Sequence, residues 1–185
     1  RFFRDRKQNK RLVTILDAKT SQWIQVPVTA IQPGNIIRIS NEAESTAKGG
    51  NMFPCDCVLL TSAAPTGECL VETSTLDGET NLKTRRCAWQ QHHTRAVSAE
   101  KCMAEYQHLL LEIDNPTPDL TVCDGIIREN GEHGTRSHRF SIANTGLRGC
   151  YLKRTLWAVA VAVYTGKETK VMRNRVRSKG VKKSS

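Results

Sequence analysis

Aromatic side chains are scarce in this chain, at 5% of its 185 residues, which leaves few rings on which the bases of a single-stranded nucleic acid could stack. Long apolar runs are missing too. The longest spans residues 156–164, far short of the ~20 residues a helix needs to cross a bilayer. The N-terminus lacks the charged start, apolar stretch and small-residue cleavage site of a secretory signal. The chain reads as a stretch cut from something longer. Its seven cysteines (Cys55, Cys57, Cys69, Cys87, Cys102, Cys123 and Cys150) include no Cys-x-x-Cys pair and no regular zinc spacing. They are expected to be reduced, cytosolic thiols that pack as small hydrophobes. His92, His93, His133 and His138 lie in polar stretches without a supporting ligand set, so solvated loop positions are expected and no metal site.

What the chain does have is basic charge at both ends. Of its formal net charge of +10, residues 1–11 hold six basic groups and one acid, and residues 167–185 hold eight basic groups and one acid. Between them, residues 12–166 carry fourteen Lys or Arg against sixteen Asp or Glu. A nucleic-acid-binding domain spreads its cations over one face, whereas this is a near-neutral body with basic ends. No nucleic-acid partner is expected. Paired basic flanks suit a domain that leaves and re-enters a membrane on its cytosolic side, where anionic lipid attracts them. Solvated tails would carry the same charge.

Short strands with turn signals dominate the body. Leu12-Val13-Thr14-Ile15-Leu16 and Trp23-Ile24-Gln25-Val26-Pro27-Val28 are rich in β-branched residues and flank a polar turn, which predicts a hairpin. Pro33-Gly34-Asn35 is a tight turn delivering Ile36-Ile37-Arg38-Ile39. Residues 41–51 are polar and read as a loop, residues 58–60 and 69–73 as strands. Residues 99–108 lack Gly and Pro and follow Ser98, a plausible helix cap. A strand is expected over 121–128, between loops at 114–119 and 129–137. Residues 157–164 alternate valine with alanine, which puts Trp157, Val159, Val161 and Val163 on one face of a core strand. The pattern predicts one mainly β domain, a sandwich or distorted barrel.

The most informative stretch is Leu76-Asp77-Gly78-Glu79-Thr80-Asn81. It puts a bare carboxylate on a glycine turn directly after the strand-like run Cys69-Leu70-Val71-Glu72. Gly78 tolerates a positive φ and has no side chain, so the backbone can approach a partner while Glu79 projects forward. Such a loop suits water activation in trans. On its own the hexapeptide also fits a solvated Asp-Gly turn.

Taken together, these segments resemble the actuator domain of a type IV P-type ATPase, the phospholipid-transporting ATPases or flippases. Ile31-Gln32-Pro33-Gly34-Asn35-Ile36-Ile37 and Phe53-Pro54-Cys55-Asp56 are similar to segments shared by P-type pumps in general. Val71 to Lys83, with Asp77-Gly78-Glu79-Thr80 at its centre, is similar to the flippase form, where ion pumps usually carry Thr-Gly-Glu-Ser. Leu147-Arg148-Gly149-Cys150 and residues 163–170 also resemble flippase segments. Cys55 departs from the common alanine, and Asn144-Thr145-Gly146 from a more apolar run.

The resemblance implies a distorted jelly-roll, double-stranded β-helix-like actuator domain with minor helix over residues 12–166. Residues 1–11 and 167–185 would be basic membrane-proximal linkers on the cytosolic face of a membrane, within an integral membrane protein. It implies that Glu79 activates water for dephosphorylation of an aspartyl phosphate on another domain, with Gly78, Asp77 and Thr80 as loop support. ATP and Mg2+ would serve the full-length enzyme, with no cofactor or metal bound by this stretch. The implied partners are the phosphorylation and nucleotide domains of the same polypeptide, a phospholipid substrate and an accessory membrane subunit. Without the Asp-Lys-Thr-Gly phosphorylation motif, the isolated stretch is expected to be inactive. Competing readings are a divergent or inactive flippase-like regulatory module, with or without fusion to another enzyme such as a guanylate cyclase, an ion-pump actuator, a β domain binding RNA or anionic membrane through its tails, and a self-contained hydrolase.

Overall fold

The computed structural model describes residues 11–41, 50–89, 99–131 and 134–181. Among these residues the chain forms three antiparallel sheets. The largest is built from β1 (Leu12–Asp17), β2 (Gln22–Pro27), β3 (Ile36–Ser40), β4 (Asp56–Ser62), β10 (Thr145–Gly146) and β12 (Trp157–Tyr164), in the order β10-β4-β12-β3-β1-β2. A second joins β11 (Tyr151–Lys153), β5 (Glu68–Glu72) and β6 (Lys83–Arg86) in that order, and a third runs from β7 (Leu109–Ile113) through β8 (Gly125–Gly131) to β9 (Gly134–Phe140). Among the described residues, three α-helices accompany them: α1 (Ser74–Asp77), α2 (Ala99–Tyr106) and α3 (Lys170–Val181). The mainly β fold expected from the sequence is the one observed.

β12 organises the interior. It lies between β3 and β4, and all eight of its residues are buried. Because successive Cβ atoms of a strand point to opposite faces, its two residue types serve two cores. Ala158, Ala160 and Ala162 join a cluster containing Phe53, Leu59, Val71 and Leu152, while Trp157, Val159, Val161 and Val163 join one containing Leu60, Trp89, Ile127 and Phe140. β4 alternates in the same way, with Cys57 and Leu59 on one side and Val58 and Leu60 on the other. Each fully buried valine or leucine contributes about 1.5–3 kcal/mol, so these two central strands hold the sheets together. The seven cysteines are buried, free thiols, placed as the sequence predicts.

The expected hairpin of β1 and β2 forms, pairing Leu12 with Pro27 through Asp17 with Gln22, and its turn is closed by Asp17, whose carboxylate accepts from the Thr20 hydroxyl at 2.6 Å. The turn before β3 is also as expected, with Gly34 at φ 89°. α2 matches the helix expected over 99–108, ending two residues earlier, where β7 soon begins. Residues 42–49 of the expected loop at 41–51, and His92, His93 and His133, lie outside the described residues.

Two expectations are corrected. The strand expected over 121–128 begins at Gly125 and runs to Gly131, and most of the loop expected over 129–137 is strand, since β9 starts at Gly134 and pairs with β8 along its length. β9 exposes six of its seven residues, so only Phe140 reaches the core and no apolar alternation marks the strand. His138 packs edge-on against Trp89, with ring centroids 4.9 Å apart, and Arg136 lies over the same indole at 5.5 Å. No helix among the described residues is long and apolar enough to cross a membrane.

Candidate functional site

β5 carries the chain out of the second sheet at Glu72, and β6 brings it back at Lys83. The ten residues between them form the candidate loop. The structure corrects one feature of it: the glycine turn does not follow the strand directly, because Ser74–Asp77 form the single helical turn α1. Gly78 ends that turn at φ 78° and ψ −2°, in the left-handed region, and its N–H donates to the Ser74 carbonyl at 3.0 Å. A Cβ added at Gly78 would meet nothing within 4 Å. Glycine is therefore required here by backbone conformation, and the space beside it is open for another body to approach.

Asp77, although exposed, fixes the loop. Its carboxylate accepts from the buried Thr73 hydroxyl at 3.0 Å, from the Glu79 N–H at 3.0 Å, and from Lys83 Nζ at 2.7 Å. Lys83, the N–H of Glu79 and Thr73 together hold the Asp77 carboxyl well below the usual carboxylate range, at about 2. The same contact with Asp77, followed by that with Glu79, pushes the Lys83 ammonium up.

Glu79 projects outward from the corner, but it is not bare. Its Oε2 lies 2.9 Å from Lys83 Nζ, so one lysine bridges both acids of the loop. The side chains of Lys83, Asp77 and Glu79 are 31%, 40% and 49% exposed, so water competes with the Glu79 pair and holds it weakly. Thr80 is exposed and makes no side-chain hydrogen bond among the described residues.

Two further contacts place the loop on the domain. Thr75 Oγ1 donates to the Gly149 carbonyl at 2.8 Å, and Leu76 packs against the core cluster that holds Phe53 and Leu152. At the base, Glu72 accepts from Ser74 Oγ at 2.6 Å and pairs with Lys153 at 3.1 Å. The structure thus brings Asp77, Gly78 and Glu79 together on one corner. Lys83, Thr73 and Thr75 were given no role from sequence, although Lys83 stands four residues after Glu79, a spacing at which opposite charges often meet.

Chemically, the corner offers a solvent-facing carboxylate on a shaped turn. Among the described residues, no group of three or more His, Cys, Asp or Glu side chains is placed to hold a metal ion. A carboxylate presented in this way can orient a water molecule and take its proton when an electrophile is brought to it from elsewhere.

No family model matches the chain. It is 37% identical over 152 residues to the phospholipid-transporting ATPase DNF1 of Chaetomium thermophilum, a match covering 76% of this chain. It is also 33% identical over 181 residues, 95% of the chain, to phospholipid-transporting ATPase 2 of Arabidopsis thaliana. The chain belongs to the phospholipid-transporting P-type ATPase family. It spans only 9% and 14% of the lengths of those two relatives. A protein of Toxoplasma gondii named guanylate cyclase is 29% identical over 171 residues, covering 92% of this chain and 4% of that protein. In fold, this P-type ATPase chain is similar to the crystal structure of a zinc-transporting PIB-type ATPase. The TM-score is 0.50 at 11% identity, covering 95% of this chain and 17% of that one.

Proposed function

We propose that this chain is the cytosolic actuator domain of a phospholipid-translocating P-type ATPase, and that its Asp-Gly-Glu-Thr corner completes hydrolysis of an aspartyl phosphate carried by another domain of the same polypeptide. The observation that carries this reading is the outward Glu79 carboxylate on a left-handed glycine turn whose flank is empty. In the reaction, Glu79 takes a proton from water as the water oxygen bonds to phosphorus. The bond from phosphorus to the aspartate oxygen breaks, and its electron pair leaves with the aspartate carboxylate. Gly78 admits the acyl phosphate, Asp77 sets the turn through Thr73 and the Glu79 N–H, and Thr80 lies at the exposed rim. ATP and Mg2+ would be held elsewhere in the polypeptide. The loop itself does not fit a nucleotide, since its lysine is shared between two carboxylates. The basic ends, including α3, would join the domain to membrane segments and transmit its rotation to the lipid path.

The test is the lifetime of the phosphoenzyme in the full-length protein. Glu79→Gln should leave phosphorylation by ATP intact and slow dephosphorylation by roughly 10²- to 10⁴-fold, the usual worth of a positioned general base. Equal lifetimes in wild type and mutant would refute the role of Glu79. A second reading is favoured by the Toxoplasma relative: the parent joins a flippase-like module to a nucleotide cyclase. A parent that forms no phosphoenzyme and makes a cyclic nucleotide would establish that alternative.

A further inference from the structure

Asp56, the first residue of β4, is fully buried at 0% exposure, and its carboxylate joins two distant parts of the chain. Oδ1 accepts the backbone N–H of Arg148 at 2.9 Å, and Oδ2 accepts the backbone N–H of Lys170 at 2.7 Å. Lys170 is the first residue of the twelve-residue α3. A helix leaves its first N–H groups without intrahelical partners, and a carboxylate there satisfies one of them and complements the helix dipole. Asp56 therefore caps α3 from a strand more than a hundred residues away.

Its other oxygen leads to the candidate site. Arg148 precedes Gly149, whose carbonyl accepts the Thr75 hydroxyl of α1, and whose N–H donates to the Phe53 carbonyl at 3.0 Å. From Thr75 the one-turn helix runs directly to Gly78 and Glu79. Arg148 reinforces the other end of the path, donating from Nη1 to the Gly166 carbonyl at 2.9 Å, which also accepts from Thr169 Oγ1 at 3.0 Å. The path from α3 to the Glu79 corner thus runs through short hydrogen bonds, most of them to backbone atoms. Burial raises the Asp56 carboxyl above its ordinary value, and the two N–H donors and the charges of Lys170 and Arg148 offset part of that rise. A buried charge without such partners would be costly.

We propose that Asp56 is a positioning residue that locks α3 and the Glu79 loop into one rigid body, so that motion delivered through α3 carries the catalytic corner with it. The proposal rests on the actuator reading for its functional consequence, but the mechanical link is separable from it.

The experiment uses the full-length protein with Asp56→Asn, Thr75→Val and the double substitution. Amide hydrogen exchange over residues 74–83 and 166–176 is read beside phosphoenzyme decay. Asparagine keeps the size of the side chain but has one acceptor oxygen where aspartate has two, so one of the two N–H groups loses its partner. Asp56→Asn should speed exchange over 74–83, residues it does not touch, and slow decay on the order of tenfold, as expected for one lost charge-assisted hydrogen bond. Thr75→Val should slow decay similarly, and the double substitution should be no slower than the worse single one, since both cut the same path. Unchanged exchange over 74–83 with unchanged decay, or fully additive slowing, would overturn the proposal. If Asp56→Asn does not fold, Thr75→Val at an exposed position decides alone, with unchanged decay overturning the link. Should Glu79→Gln leave decay unaffected while Asp56→Asn still speeds exchange over 74–83, the actuator reading fails and the link stands. Slowing by Glu79→Gln with no response to Asp56→Asn sinks the link and leaves the reading.

Discussion

Replacing Asp77 by alanine tests whether the loop is shaped by a buried hydroxyl or by surface charge. The carboxylate makes three kinds of contact, and they differ in worth. Thr73 is 4% exposed, so its hydroxyl, left without an acceptor, forfeits about 1–3 kcal/mol. The Lys83 pair is more than a third exposed on the Asp77 side, and after discounting for solvent it is worth less than about 1 kcal/mol. The Glu79 N–H, at an exposed position, is re-satisfied by water at little cost. Asp77→Ala should therefore destabilise the domain by about 2 kcal/mol, and Lys83→Met by less than about 1 kcal/mol. For a domain of this size the two should lower the thermal midpoint by roughly 4–8 °C and at most about 4 °C. Thermal unfolding followed by circular dichroism reads both. A loss for Lys83→Met as large as that for Asp77→Ala would refute the ranking, and would mean that the lysine bridge rather than the Thr73 bond shapes the loop.

The acid response of the loop follows from Asp77, whose folded value is held down to about 2 from an ordinary 3.8. Between those values the unfolded chain binds the proton that the folded chain refuses, so the contribution is whole above the ordinary value and is lost as pH falls through about 2. The Glu79 amide resonance should report a midpoint near that lower value, moving up in Lys83→Met; a midpoint unchanged by that substitution would show that the lysine does not set it. In the interior, a Cβ at Gly146 would stand 2.2 Å from Cε1 of the buried Phe53 ring. Gly146→Ala should cost about 1–3 kcal/mol by overpacking, with Phe53→Leu in the same chain recovering part of the loss in a double-mutant cycle.

The legible parts of the fold were those whose side chains alternate in kind. β12 declared itself because valine and alanine serve different cores, and the β1 and β2 hairpin because its strands are β-branched and its turn is closed by Asp17. β9 was hidden because its stability comes from pairing with β8 and from Arg136, His138 and Phe140, which follow one another at period two but of which Phe140 alone is an apolar core residue. Much of α3 has the composition of a charged tail, because the contacts that fix its start are tertiary. Asp56 supplies the carboxylate from β4, and Lys170 at the start of the helix sends its Nζ to Thr117 at 3.2 Å. Charge density along the segment carries no trace of either contact.

At the candidate site the division is between shape and place. The turn's shape is local: Thr73, Asp77, Gly78, Glu79 and Lys83 lie within eleven consecutive residues, of which the sequence marks Asp77, Gly78 and Glu79, while the bonds of Thr73 and Lys83 to the two acids come from the structure. The turn's place is not local. It depends on Thr75 meeting Gly149 and on Asp56 meeting Arg148, across sequence separations of 74 and 92 residues. A carboxylate that acts on another domain needs both kinds of constraint. Local bonds alone would give a well-formed corner free to swing on its base, and distant bonds alone would anchor a corner without a fixed direction for Glu79. Substitutions should divide accordingly. Changes at Asp77 or Lys83 should alter the acid response and stability of the loop, whereas changes at Thr75 or Asp56 should alter how faithfully it follows α3.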